Sequence, residues 1–279
     1  MPTTKQRRET ARRRLERQIQ RRQEAAVKRR RRNLITAAVL GVVVVLGGVF
    51  LLVTQLGGDD PTTPAAEGTP SASASATPTR APKATTGPCK YTETAQTLAN
   101  PDAKDVGLPE DPAKTPSTGT VPVQITTDRG TMTLTLDRSK APCAVQSFLF
   151  LTGKKFFDNT PCPRVVSEGI FVLQCGDPSG TTGGGPTYNF KEENLAKASY
   201  GAGVVAMAKS NEPATTGSQF FIIYKDSNTL PKSYSVIGTI TSGLDVVSKV
   251  AAAGNDNSNQ AGGGKPNQPI TIKSVAQAK

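Results

Sequence analysis

The chain has 279 residues, a formal net charge of +12, 5% aromatic residues and no tryptophan, a length that holds one or two domains. It contains no histidine, which excludes Ser-His-Asp and Cys-His nucleophile arrangements, histidine general bases and histidine metal ligands. Residues 1–33 carry 14 Lys/Arg against 3 Glu, and the remainder carries 20 basic and 19 acidic residues, so the basicity is a tail and not a nucleic-acid-binding face.

Residues 34–56, LITAAVLGVVVVLGGVFLLVTQL, carry no charge. A helix of this length crosses the ~30 Å hydrocarbon core of a bilayer. The run is apolar on every face, unlike a core helix. No small-x-small cleavage site follows it directly, unlike a signal peptide. The reading is one uncleaved transmembrane helix. Lys28 to Arg32, KRRRR, abut it. By the positive-inside rule the N-terminus is cytoplasmic and the rest of the chain extracytoplasmic, anchored in the plasma membrane. The tail at 1–33 reads as a basic helix on anionic lipid. Residues 57–87 are rich in Pro, Ser, Thr and Ala, a composition that buries no core, and read as a disordered linker. Residues 88–119 read as an extension packed on the domain that follows, at 120–279.

From Thr120, VPVQITTDRGTMTLTLD alternates apolar and polar residues around Asp128-Arg129-Gly130. This predicts a hairpin with Val123 and Ile125 on one arm and Met132, Leu134 and Leu136 on the other. APCAVQSFLFLTG places Val145, Phe148, Leu149 and Leu151 at helical spacing, with Gly153 as the stop. Further strands are expected at Arg164–Val166, Ile170–Gln174, 203–208, 218–224, 233–240 and 269–275, with a second helix at 243–253. About eight strands and two helices predict a mainly β fold, a closed eight-stranded barrel capped by two helices. The glycine-rich GTTGGGP lacks the Lys-Ser/Thr ending of a phosphate loop and reads as a barrel loop near a groove.

Four cysteines, Cys89, Cys143, Cys162 and Cys175, all follow the anchor, and the outer compartment favours two disulfides. Three pairings are possible. Cys162 and Cys175 flank one hairpin, which favours that pair and leaves Cys89 with Cys143. No CxxC pair and no histidine exist for a zinc site.

The chemistry lies in CPRVVSEGIFVLQCGD, residues 162–177. With a turn at Ser167-Glu168-Gly169, Arg164 falls across from Gln174. Val172 and Gln174 then share one strand face, and Phe171 and Leu173 the other. In SQFFIIY, Gln219 and Phe221 share a face in the same way. Two such strands make an apolar patch ringed by amides and one guanidinium. That patch suits an extended peptide, and a proline ring in particular. Arginine does not lose its proton, so it donates hydrogen bonds and is not a base.

RVV…IFVLQCGDPSGTTGGG, GVVAMAKS and TTGSQFFI, in this order, resemble the cyclophilin-type peptidyl-prolyl cis-trans isomerases from about Val121 to Val275. The resemblance implies a catalytic Arg164, proline-pocket aromatics Phe171 and Phe221, and peptide-binding Gln174 and Gln219. It also implies backbone contacts from Ala208 and Lys209, and a pocket completed by Val172, Leu230 and Tyr234. Pro163 stands where the family usually has His, Val172 where Met is common, and Lys209 where Asn is common. Thr229 stands where some members carry Trp, and Tyr234 where better-known members carry His. The turn after Arg164 is two residues longer. The implied activity is X–Pro isomerisation in exported or envelope polypeptides by a monomer, with no cofactor, metal or nucleic acid. Two other readings are a membrane-tethered module that binds proline peptides without catalysis, and an envelope scaffold whose working parts are the tail and linker.

Overall fold

The computed structural model describes residues 82–94 and 102–278. The basic tail, the apolar segment 34–56 and the linker up to residue 81 lie outside the described residues. In chain order the elements are β1 (Thr92–Glu93), β2 (Thr120–Thr127), β3 (Gly130–Asp137), helix α1 (Pro142–Gly153), β4 (Thr160–Pro161), β5 (Arg164–Val166), β6 (Val172–Cys175), β7 (Tyr188–Asn189), a 3-10 turn (Leu195–Lys197), β8 (Val204–Met207), β9 (Phe220–Ile223), β10 (Val236–Ser242), helix α2 (Leu244–Ala252) and β11 (Thr271–Gln277).

The opening hairpin forms where alternation predicts it. Thr127 pairs with Gly130 around Asp128-Arg129, and Thr127 Oγ1 accepts from Arg129 N–H and donates to the Gly130 carbonyl. Val123, Ile125, Met132, Leu134 and Leu136 are buried together. They meet Val145, Phe148 and Leu151 of α1 in one core. Phe148 stacks on Phe157 with ring centroids 4.9 Å apart, and Phe220 meets both rings edge-on at 5.5 and 5.8 Å. Leu149, predicted on the same helical stripe, is only partly buried at the margin of this core.

Nine strands form one antiparallel sheet in the order β4-β11-β2-β3-β10-β8-β9-β6-β5, and β1 pairs with β7 apart from it. This corrects the expectation of a closed eight-stranded barrel: the sheet curls, but among the described residues no ladder joins its two edges. The edge strands β4 and β5 are separated only by Cys162 and Pro163. Pro163 has no N–H, and that of Cys162 donates to the Ile270 carbonyl at 3.0 Å. The chain therefore steps from one edge to the other without pairing them. The two-residue strands β1, β4 and β7 are too short to show a period in sequence.

Both disulfides are present, Cys89–Cys143 and Cys162–Cys175. The first ties the extension to α1. Tyr91, fully buried, donates its hydroxyl to the Cys143 carbonyl at 2.7 Å and sets its ring edge-on to Tyr188 and Phe190. Asp111 accepts from the N–H groups of Cys89 and Lys90 and from the Thr85 hydroxyl. Residues 82–87, assigned to the linker by composition, hydrogen-bond within the fold, as where Glu93 N–H donates to the Lys83 carbonyl at 2.7 Å.

Helix α1 begins with Pro142 and has no side-chain cap from Ala141. Its exposed N–H groups are satisfied from a distance: the Glu193 carboxylate accepts from Cys143 N–H at 3.1 Å and Ala144 N–H at 2.8 Å. Burial nevertheless pushes the Glu193 pKa above its ordinary value, outweighing those two bonds. The folded protein therefore holds this proton more tightly than the unfolded chain. The Glu193 contribution to stability falls as pH rises from the ordinary glutamate value through the raised one. Glu193→Gln, which cannot ionise, should be destabilised by about 1 kcal/mol at low pH, and its deficit should shrink as pH rises above the ordinary glutamate value. Denaturant midpoints of the two proteins across that range check this.

Candidate active site

The β5–β6 ladder pairs Arg164 with Gln174, Val165 with Leu173 and Val166 with Val172. On the other side of β6, Gln174 pairs with Phe221 of β9 and Val172 with Ile223. Alternation then sorts the side chains. Leu173, Phe220 and Ile222 join the interior core, whereas Val172, Phe221 and Ile223 form a second apolar cluster with Val166, Ala206 and Tyr200. Ala208, Leu230 and Tyr234 lie partly buried against that second cluster. Tyr234 stands edge-on to Phe221, ring centroids 5.3 Å apart, and its backbone is held by the Tyr200 hydroxyl.

The polar residues meet at the edge of this patch. Arg164 Nη1 donates to Gln174 Oε1 at 3.0 Å, and Gln174 Nε2 donates to Gln219 Oε1 at 2.6 Å. Gln219 Nε2 donates in turn to the carbonyls of Thr182 (3.0 Å) and Gly184 (2.8 Å) in the glycine-rich loop. Arg164 also donates from Nε to the Gly262 carbonyl and from Nη2 to that of Ala261, each at 2.9 Å. This leaves two of the five guanidinium N–H groups for another acceptor. Burial lowers the Arg164 pKa from its ordinary value, and the Tyr234 phenol offsets part of that. The group still remains a cation, because arginine starts so high.

A cavity of about 320 Å³ opens beside the two glutamines, lined by Gly183 to Pro186 and by Ala208, Lys209 and Ser210 among others. Ala208 N–H donates to the Gln219 carbonyl at 2.8 Å. Lys209 Nζ reaches the carbonyls of Ser210 and Glu212. A side chain at Gly184 would collide with the Asp177 carboxylate, which accepts from Gly184 N–H and from Ser179. The glycine-rich loop is thus packed onto a buried aspartate and lines the cavity, where the sequence placed it beside a groove.

The structure brings Arg164, Gln174, Gln219, Val172, Phe221, Ala208, Leu230 and Tyr234 to one face. Phe171 is set apart from the apolar cluster. Its ring lies edge-on to Tyr224 at 5.9 Å, with the Lys225 ammonium 4.7 Å from its centroid. Its backbone is fixed by the Ser227 hydroxyl and by Tyr224 N–H. Strand alternation had already put Phe171 on the face opposite Val172.

Sequence reasoning missed the arginine's backbone partners, Ala261 and Gly262. Their one visible signal is the glycine run Gly262–Gly264. Gly263 has φ +69°, and a side chain there would strike the Val165 carbonyl. It also missed the brace from the extension: Lys104 N–H donates to the Gly185 carbonyl at 2.8 Å, and Thr187 N–H to the Lys104 carbonyl at 3.1 Å. No local pattern near Lys104 signals that pairing.

Residues 122–277 match the family model described as cyclophilin type peptidyl-prolyl cis-trans isomerase. A "probable peptidyl-prolyl cis-trans isomerase B" of Mycobacterium leprae is 38% identical over 207 residues, 67% of this chain and 65% of the relative. Its namesake in Mycobacterium tuberculosis is 40% identical over 188 residues, 59% of each chain. The chain therefore spans less than two thirds of the length of these curated relatives. A cyclophilin type peptidyl-prolyl cis-trans isomerase of Cryptosporidium parvum, known in two crystal structures, one of them in the presence of the dipeptide Ala-Pro, superposes with a TM-score of 0.51 in both, at 28% and 29% identity. The alignments cover 58% and 57% of this chain and 99% of that one. With more than half of its length matched by the family model, the chain belongs to the cyclophilin-type peptidyl-prolyl cis-trans isomerase family.

Proposed function

We propose that this chain accelerates cis–trans isomerisation of X–Pro bonds in polypeptides. One observation carries the reading: a guanidinium with two unspent N–H groups stands beside an apolar cluster walled by Phe221. The X–Pro bond turns over a barrier of about 20 kcal/mol set by amide resonance. No bond is broken, so no nucleophile or base is required. The cluster around Val172, Phe221, Leu230 and Tyr234 holds the proline ring. Arg164 donates to the prolyl nitrogen, whose lone pair is free only when the amide is twisted. The interaction therefore stabilises the transition state more than either planar ground state. Gln174 keeps the guanidinium oriented, and Gln219 and the Ala208–Lys209 backbone hold the flanking peptide. The Ala-Pro dipeptide used with the Cryptosporidium parvum relative supports proline peptides as the substrate class.

The same proposal places the domain outside the plasma membrane, on a single-pass anchor at 34–56, as a monomer serving exported or envelope proteins. Support comes from the uncharged run after KRRRR and from two disulfides. A second reading, a proline-peptide binding module, draws on the position of Phe171 against Tyr224 and on the three protein contacts already made by Arg164. Tight peptide binding without acceleration by wild-type protein would select it.

Timing X–Pro isomerisation in a short peptide tests the reading. Arg164→Ala should lower kcat by roughly a hundredfold or more with the fold intact. Phe221→Ala should chiefly raise KM, and cost about 3 kcal/mol of stability. Since the chain has no imidazole and Arg164 stays charged, kcat/KM should be flat from about pH 6 to about pH 8; a bell-shaped profile there would contradict the mechanism. In cells, the full chain should sediment with membranes, and its domain should be cleaved by protease added to spheroplasts. Protection from that protease would reverse the topology.

A further inference from the structure

We propose that the Cys162–Cys175 disulfide is a clamp that positions Arg164 and Gln174 for turnover, a role separate from the general stability that a disulfide lends. The proposal rests on the isomerase reading. Its physical ground is the weakness of β5. This strand has three residues and lies at the edge of the sheet. One neighbour is β6; on the other side it makes a single bridge, Val165 with Gly264. The Arg164–Gln174 pair is the last of the β5–β6 ladder, at the end away from the turn. Ladder ends are where strands open.

No further backbone pair joins β5 to β6 at that end, although each strand is bonded there to other neighbours. The residue before Arg164 is Pro163, which has no N–H. The N–H of Cys162 is directed to Ile270, beyond the β5–β6 ladder. The disulfide stands where the ladder stops. One sulfur is two residues before Arg164, and the other is on the residue after Gln174. It joins the two chains covalently at the point where a further backbone pair would have joined them.

The cradle of the guanidinium depends on the same strand. Arg164 bonds to the carbonyls of Ala261 and Gly262, and their loop meets β5 through Gly264 and through the close approach of Gly263 to Val165. If β5 loosens, the arginine, its amide partner and this loop lose their common reference. The apolar pocket depends on it less: β5 contributes only Val166, paired with Val172 at the turn end of the ladder away from the disulfide, whereas Phe221 sits on β9 and Leu230 and Tyr234 lie beyond it. Opening the clamp should therefore lower kcat and leave KM nearly unchanged. Both cysteines are buried, Cys162 at 3% and Cys175 at 1% exposure, in the core with Leu173 and Phe220. A solvent thiol does not reach them in the folded protein, so the bond acts as a fixed clamp and not as a redox switch.

The second disulfide supplies the control. Cys89–Cys143 joins the extension to α1, with neither cysteine on or next to β5 or β6 in the chain. Two double variants, Cys162→Ala/Cys175→Ala and Cys89→Ala/Cys143→Ala, are compared with wild type in the peptide assay and in thermal melts. The first should lose kcat by about tenfold or more with KM within about twofold, the scale of a reacting group displaced by a fraction of an ångström to an ångström. The second should melt earlier and keep much more of its kcat than the first, because the extension reaches the arginine only through Lys104, Gly185 and the two glutamines. Equal kcat in the first variant and wild type, or equal losses in both variants, would overturn the clamp. Should the alanine pair not fold, Cys89→Ala/Cys143→Ala protein refolded in a phosphine reductant keeps the Cys162 and Cys175 sulfur atoms without the bond between them, and retained kcat there is equally fatal. If wild-type protein shows no acceleration, the isomerase reading fails by itself. The clamp is then judged on the nitrogen-15 signal of Arg164 Nε–H, which should shift or broaden only when the Cys162–Cys175 bond is absent.

Discussion

Along β6 and β9 every second side chain faces the main core and every other one the second, smaller apolar cluster beside the polar site residues, and this period of two governs the molecule. Leu173, Phe220 and Ile222 go inward, onto the aromatic cluster of Phe148 and Phe157. Val172, Phe221 and Ile223 go outward. A slip of one residue between these strands would bury Gln174 in the core and expose Phe220. The register that closes the core is therefore the register that builds the site. Stability and recognition are set by one ladder, read from its two sides.

Polar groups at the margin of the site are tied in series. The Lys104 backbone holds Gly185, the Gly184 carbonyl holds Gln219, Gln219 accepts from Gln174, and Gln174 accepts from Arg164. Each amide both donates and accepts, so its orientation is determined by two neighbours instead of one. An arginine free to sweep its rotamers would lose entropy on meeting a substrate; one already held by Gln174, Ala261 and Gly262 has lost most of it during folding. The extension outside the family-matched residues thus reaches the wall of the cavity, although its covalent tie is to the far helix α1.

Helix α1 shows how tertiary contacts substitute for local signals. Ala141 offers no cap, and the carboxylate that serves the helix start comes from Glu193, some 50 residues later. The cost of burying that carboxylate appears as a raised pKa. The buried phenols of Tyr91 and Tyr188 are pushed up for the same reason, each with its hydroxyl paired, to the Cys143 carbonyl and to Ser147. The Tyr91 bond joins the extension to α1 alongside the sulfur, and the Tyr188 bond joins β7 to the same helix.

Much of the site was legible in the sequence because its information is local. The turn at Ser167-Glu168-Gly169 put Arg164 across from Gln174, which the β5–β6 ladder pairs, and alternation put Phe221 on the side of Gln219. The opening hairpin and both helices were legible for the same reason: a period of 2 or 3.6 residues needs only a short window to declare itself. What the tertiary structure alone decided lies between distant segments. The carbonyls that hold Arg164 come from a loop about 100 residues downstream, the brace on Gly185 comes from Lys104, and the ring of Phe171 turns to Tyr224 because β9 delivers that partner. The open edge between β4 and β5 likewise hangs on Cys162 pairing with Ile270 while Pro163 pairs with nothing through nitrogen. Composition and period determine which face of a strand a residue occupies; which distant backbone waits there is set only when the whole sheet has curled.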